Sequence, residues 1–198
     1  IITTGPDVGV EFFQVSDGVY ARGGARNNLP EARFIAQRIA HHYDTRPGMS
    51  LGVVALSQSQ ADTIEAALDE VIRERPSLER QIDTSRLDGL FVKNLESVQG
   101  DERDVMIMSV GYGPDEHGKF TMNFGPMNRD GGWRRLNVAV TRARYRNEVV
   151  ASFDPSQMTE SSQRSVQALR QYLDYAHRGL EALALDSTAS LGDAESPF

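Results

Sequence analysis

At 198 residues, 39% apolar and 25% charged, the chain has the composition of an ordinary soluble globular protein, long enough for one domain with a real core. It contains no cysteine, which excludes a disulfide scaffold and a thiolate metal site and points to a reducing, cytoplasmic setting. A net charge of −7 argues, taken alone, against a nucleic-acid binder. No apolar run approaches the roughly 18 residues of a membrane span, and the N-terminus lacks a basic-then-apolar secretory pattern. Opening without Met at "IITTGPDVGVEFF", the chain reads as a piece of a longer protein.

Strand-like "VEFFQV" (10–15) leads into a Gly/Asn-rich turn, "RGGARNN". A helix is predicted to follow, with Asn28 as N-cap, Pro30 just inside, and an apolar stripe of Ala32, Ile35, Ala36, Ile39, Ala40 and Tyr43. "LGVVALS" (51–57) reads as a buried strand. The helix after it aligns Ala61, Ile64, Leu68, Val71 and Ile72 and stops before Pro76. "LDGLFV" (87–92) and "DVMIMSV" (104–110) are two further strands. A loop rich in Gly, Pro and Asn runs from 111 to 132, then come an arginine-rich helix, a strand "EVVAS" (148–152), and a last helix ended by Gly179. Strands alternating with amphipathic helices predict an α/β fold: a mainly parallel sheet covered on both faces. One domain is expected over 1–178, and 179–198 reads as a small, polar, acidic linker.

The charge is unevenly spread. Five arginines and no acid occupy 133–146, whereas 174–198 hold five acids and one arginine. On a helical wheel Leu136, Ala139, Val140 and Ala143 form a buried stripe. Arg135 and Arg142, seven apart, then fall on one flank and Arg144 on the other. A solvated basic face is the ordinary explanation of such a helix. Arg142 asks for more, because it borders the buried stripe with no acid at i±3 or i±4, and a guanidinium so placed suits anionic oxygens such as phosphate. In "ESVQGDERDV" (96–105), Gly100 offers a tight turn, and Gln99, Glu102 and Asp104 crowd before a very apolar strand.

Together the two stretches resemble the second, C-terminal RecA-like domain of superfamily 1 helicases, in the branch of the RNA-surveillance helicases and their bacterial relatives. "SVQGDERDVMIMSV" resembles that family's motif V and "RRLNVAVTRAR" its motif VI. "LGVVALSQSQ" is similar to motif IV, and "NNLPEA" (27–32) to the N-R-x-E-A segment before it. The resemblance covers residues 10–155 and implies a three-layer RecA-like fold of the P-loop NTPase type. It implies ATP and Mg²⁺ held in a cleft with an N-terminal RecA-like domain that this chain lacks, and a single-stranded DNA or RNA partner. By that match Arg142 is the arginine finger, Glu102 accepts from the ribose hydroxyls, Gly100 admits the backbone to the nucleotide, and Gln99 sits at the hinge between the two sites. Ser57, Asn94 and Ser97 are the implied strand contacts.

Leu29 stands where the family carries a second phosphate-facing arginine, with Arg26 and Arg33 nearby but off the motif position. This opens an alternative: a degenerate helicase domain serving as a nucleic-acid-binding or protein-docking module. The chain has no G-x-x-x-x-G-K-[ST], since its only Gly-Lys, in "HGKF", is followed by Phe; nor does any apolar strand end in Asp-Glu. The fragment is therefore expected to be inactive alone. Bacterial relatives imply a small nuclease-like domain beyond the tail. Three other patterns carry little: "GPDEHGK" lacks the strand spacing of a nuclease site, adjacent His41 and His42 diverge on their helix, and "FTMNFGPM" reads as a loop packing its own apolar residues.

Overall fold

The computed structural model describes residues 8–82 and 88–183. Five parallel strands form one sheet: β1 (Gly9–Gln14), β2 (Leu51–Ala55), β3 (Phe91–Asn94), β4 (Arg103–Ser109) and β5 (Ala143–Ala151), in the order β1-β5-β4-β2-β3. Helices α1 (Leu29–Thr45) and α2 (Gln58–Glu74) cover one face, and α3 (Gly132–Val140) and α4 (Arg164–Arg178) the other. This is the expected three-layer α/β architecture. All five residues of β2 are buried, as two covered faces require, and alternate residues enter opposite cores. Leu51, Val53, Ile107 and Val150 meet α1 and α2, while Val54, Met106, Met108 and Val149 meet α3 and α4.

Local chemistry sets most boundaries. The Asn28 side chain accepts the Glu31 N–H at 3.1 Å and caps α1, with proline in its first turn. Gly179, at φ +64°, ends α4. Other boundaries differ from expectation. The arginine helix ends at Val140, and the chain then turns straight into β5, so Arg142 lies in the turn, Ala143 and Arg144 lie on a strand, and the wheel that put Arg142 beside Arg135 does not apply. At the stop the Thr141 hydroxyl donates back to the carbonyls of Asn137 and Val138, at 2.9 and 3.0 Å, and beyond it Ala143 and Arg146 pair with β4. β3 begins at Phe91, later than predicted; residue 87 lies outside the described residues, as does the tail beyond 183. The long loop contains a short 3₁₀ turn at Gly125–Asn128, and its Phe124 and Met127 are buried, so it does pack its own apolar residues.

A buried polar cluster closes the carboxyl edge of the sheet. Glu31 accepts the hydroxyls of Ser109 and Ser152 and the N–H of Gly111, each at 2.7 Å. Asn28 donates to Ser152 at 2.8 Å, and Gln60 exchanges hydrogen bonds with the Asn28 backbone. Gly111 needs its left-handed φ of +71°, and a Cβ there would stand 2.7 Å from the Gln60 side chain. Among the described residues no cation pairs with Glu31. Burial pushes its carboxyl up to about 7, and hydrogen bonds from Ser109, Ser152 and Gly111 only partly offset that. The folded state thus holds this proton from the ordinary 4.5 up to about 7 while the unfolded chain releases it. Stability should therefore fall as pH rises through that window, by up to about 3 kcal/mol. Urea unfolding across the window should give this slope in the native chain and a flattened one in Glu31→Gln; an unchanged slope in the variant refutes the assignment.

Candidate functional site

Two groups of sequence-predicted residues occupy opposite edges of the sheet. Asn94 pairs with Ala55 and Ala55 with Ser109, at the carboxyl edge; Arg103 pairs with Ala143 at the amino edge. The six residue steps from Arg103 to Ser109 separate these levels by about 20 Å.

At the amino edge Glu102 and Arg142 come together. The Arg142 carbonyl accepts the Arg103 N–H at 3.1 Å, which fixes the turn beside the start of β4. The guanidinium folds back over the end of α3: Nε donates to the Val138 carbonyl at 2.9 Å and Nη2 to Thr141 Oγ1 at 3.2 Å. A cation there meets helix carbonyls that have no intrahelical partner. Nη1 faces Glu102 Oε1 at 3.8 Å, an ion-pair distance too long for a hydrogen bond. Arg142 is thus not isolated; its acid comes from β4's approach, which helical spacing does not reveal. Glu102 is half exposed and also lies 3.9 Å from Arg144, which reaches Asp104 at 3.5 Å. Burial acts upward on the Asp104 carboxyl, but hydrogen bonds from the Ser50 N–H and hydroxyl and the Arg144 charge outweigh it and hold the group below its usual range.

Gly100 adopts φ +91°, reserved in practice for glycine, and a Cβ there would meet nothing within 4 Å, so open space faces this backbone. Gln99 is exposed beside it. Arg103 sets the turn from below. It is buried over the Phe91 ring, donates twice to the Gly89 carbonyl at 2.9 and 2.7 Å, and donates to the Glu102 carbonyl at 2.7 Å.

Ser57, Asn94 and Ser97 gather at the carboxyl edge. Ser57 caps α2, accepting the Gln60 N–H at 3.3 Å. The Asn94 side chain accepts from the backbone N–H groups of Glu96 and Ser97, both at 2.9 Å, and donates to Gln58 at 2.6 Å. From there residues 95–102 run down one sheet face to the amino edge, pinned by buried Leu95 and Val98 and by a Lys93–Asp101 contact at 2.6 Å.

Leu29 opens α1 next to Asn28, which bonds Ser152 at the end of β5, whereas Arg142 precedes its start. β5 spans roughly 26 Å. Leu29 and Arg142 thus stand near opposite ends of that strand, and position 29 offers no second guanidinium. Arg33 faces Glu70 at 3.7 Å instead. Sequence reasoning missed a groove of about 430 Å³ beside Ser57, lined among others by Arg22, Arg26 and Arg129. Its parts are remote in sequence; the one local hint was two arginines flanking the glycines of "RGGAR". Among the described residues no group of acids and histidines is gathered closely enough to hold a metal, and no helix is long and apolar enough to cross a membrane.

A family model described as an AAA domain matches residues 6–154. The chain belongs to that family. This AAA domain is 42% identical over 140 residues to an uncharacterized ATP-dependent helicase of Mycoplasma genitalium, the match covering 68% of the chain and 12% of that protein. It is 36% identical over 184 residues to the Mycoplasma pneumoniae homolog, covering 89% and 15%. The chain therefore spans less than a sixth of either relative. A solved structure of the C-terminal domain of a possible DNA helicase from Lactobacillus plantarum is similar at 14% identity and a TM-score of 0.41, over 74% of this chain and 78% of that one.

Replacing Arg103 by Ala leaves the Gly89 and Glu102 carbonyls without their buried donor and should cost about 2–3 kcal/mol in urea unfolding. An Arg103→Ala chain as stable as the native one would mean that the AAA domain holds its amino edge by other contacts.

Proposed function

We propose that this AAA domain is the C-terminal, RecA-like motor domain of an ATP-dependent superfamily 1 helicase, and that Arg142 is its arginine finger. The observation that carries the reading is the pairing of Glu102 with Arg142 across 3.8 Å on adjacent strand starts, next to the open backbone of Gly100. These residues fit the part of an ATP site that a second domain supplies. Glu102 presents a half-exposed acceptor for ribose hydroxyls, and Gly100 leaves room for close backbone approach. Arg142 is anchored through Nε, with no hydrogen bond at Nη1 among the described residues, so one side of the guanidinium is available to a phosphate. The phosphate-cradling loop and the carboxylates for Mg²⁺ would come from an N-terminal RecA-like domain of the parent protein. The bound nucleotide and metal supply phosphoryl transfer to water.

The chain's own residues orient the sugar, exclude water as the cleft closes, and place positive charge where negative charge builds up. Such a finger contributes about 10³–10⁵ in rate, or roughly 4–7 kcal/mol. Single-stranded DNA or RNA would lie across Ser57, Asn94 and Ser97. The names of the two mycoplasma relatives support an ATP-dependent helicase as the parent activity. The alternative, a degenerate helicase domain serving as a nucleic-acid-binding or protein-docking module, rests on Leu29 standing where the family carries an arginine, and it predicts no strand-stimulated hydrolysis in the parent protein.

In the full-length parent, Arg142→Ala should lower strand-stimulated ATP hydrolysis by about 10³–10⁵ while strand binding survives; unimpaired hydrolysis would sink the assignment. The isolated chain carries half of the cleft, so calorimetric titration with ATP should give no micromolar binding. Micromolar affinity there would place a complete nucleotide site within this chain and contradict the proposal.

A further inference from the structure

We infer that the groove at the carboxyl edge is an anchor for the phosphodiester backbone of a single strand, with Arg26 and Arg129 as its phosphate ligands. The inference deepens the helicase reading, on which its choice of ligand rests, by naming strand contacts that motif matching does not reach. The groove, of about 430 Å³, has no acidic residue in its lining. Three arginines converge on it from two remote segments, Arg22 and Arg26 before α1 and Arg129 before α3. Their charges bear on Tyr20 and Tyr112, whose rings stand 5.0 Å apart.

The arginines differ in how they are held. Arg22 is fixed from the long loop, by Thr121 and by Asp115 at 3.5 Å. Among the described residues the side chains of Arg26 and Arg129 make no hydrogen bond or ion pair, and both are exposed. Two such cations facing one cavity repel each other unless an anion lies between them. Arg26 also takes a left-handed backbone, φ +55°, where no other non-glycine among the described residues does so. The tight loop that imposes it is closed by Arg26 N–H to Ala21 O at 2.9 Å and Ala21 N–H to Asn27 O at 2.8 Å. Backbone outliers of this kind cluster at ligand-facing positions, and this one lies on the groove lining.

The shape of the site favours a polymer over a single phosphate. Ser57 belongs to the groove and to the neutral track beyond it, where Gln58 bonds Asn94 and Asn94 holds Ser97. Paired arginines at one end and hydroxyl and amide groups at the other suit a chain of regularly spaced phosphates, gripped strongly at one point and loosely along the rest. This arrangement also lets a chain of net charge −7 hold an anion.

Fluorescence anisotropy with labelled oligothymidylate and oligouridylate tests the inference, with no ATP present, so that strand-stimulated hydrolysis fails or succeeds independently of it. In this chain, Arg26→Ala with Arg129→Ala should weaken binding about tenfold and flatten the log-log salt dependence by about 1.4, at roughly 0.7 per phosphate contact. Removing two exposed arginines elsewhere, Arg73→Ala with Arg80→Ala, should leave affinity within about twofold and the slope unchanged, since neither makes a phosphate contact. Equal losses in both pairs would reduce the effect to net charge and overturn the proposal. So would displacement of the strand by micromolar thymidine monophosphate, which would make the groove a mononucleotide site. Circular dichroism and thermal melting of each pair separate lost contacts from lost fold.

Discussion

The carboxyl edge of the sheet depends on one buried carboxyl group. Glu31 joins three backbones that are far apart in sequence: the first turn of α1, the end of β4 at Ser109 and Gly111, and the end of β5 at Ser152. Among the described residues no cation neutralises it, and hydrogen bonds from two hydroxyls and from backbone amides partly offset its loss of water. The segments leaving this edge, with Tyr20, Ser57 and Tyr112, hang from that cluster. Their mutual placement is thus set by directional bonds, whereas packing alone would fix it only loosely.

The amino edge is arranged on a different principle. Its charges are partly exposed and its distances long, 3.5 to 3.9 Å among Glu102, Asp104, Arg142 and Arg144. Exposed pairs of this kind add little to stability and exchange partners easily. Arg142 is anchored on one side by the Val138 carbonyl and loosely matched on the other. A side chain that must meet an anion supplied from outside needs that combination: a firm base, and a carboxylate that keeps it company without a hydrogen bond.

Much of the fold was legible because its signals are local. The Asn28 cap, the proline after it, the stop at Gly179 and the apolar stripes of α1, α2 and α4 follow from short-range chemistry, and each element formed where its pattern lay. The end of the arginine helix was not legible. The helical pattern continues through Ala143, and pairing with β4 from that residue, joined by β1 from Arg146 onward, claims the segment for a strand. Motif spacing found Glu102 and Arg142 separately, but their proximity follows from strand order. The groove escaped altogether, because residues 20–26, 57, 112 and 129 have no common period and meet only through the loops above the sheet.

The eight residues from Leu95 to Glu102 have a mechanical meaning. They form a short strut, tied at its head by Asn94, at its foot by the carbonyl contacts of Arg103, and glued to the core between by Leu95 and Val98. A strut so fastened has little slack to absorb a push. A displacement imposed at one rim is therefore handed to the other along backbone, with no loose loop between them to take it up.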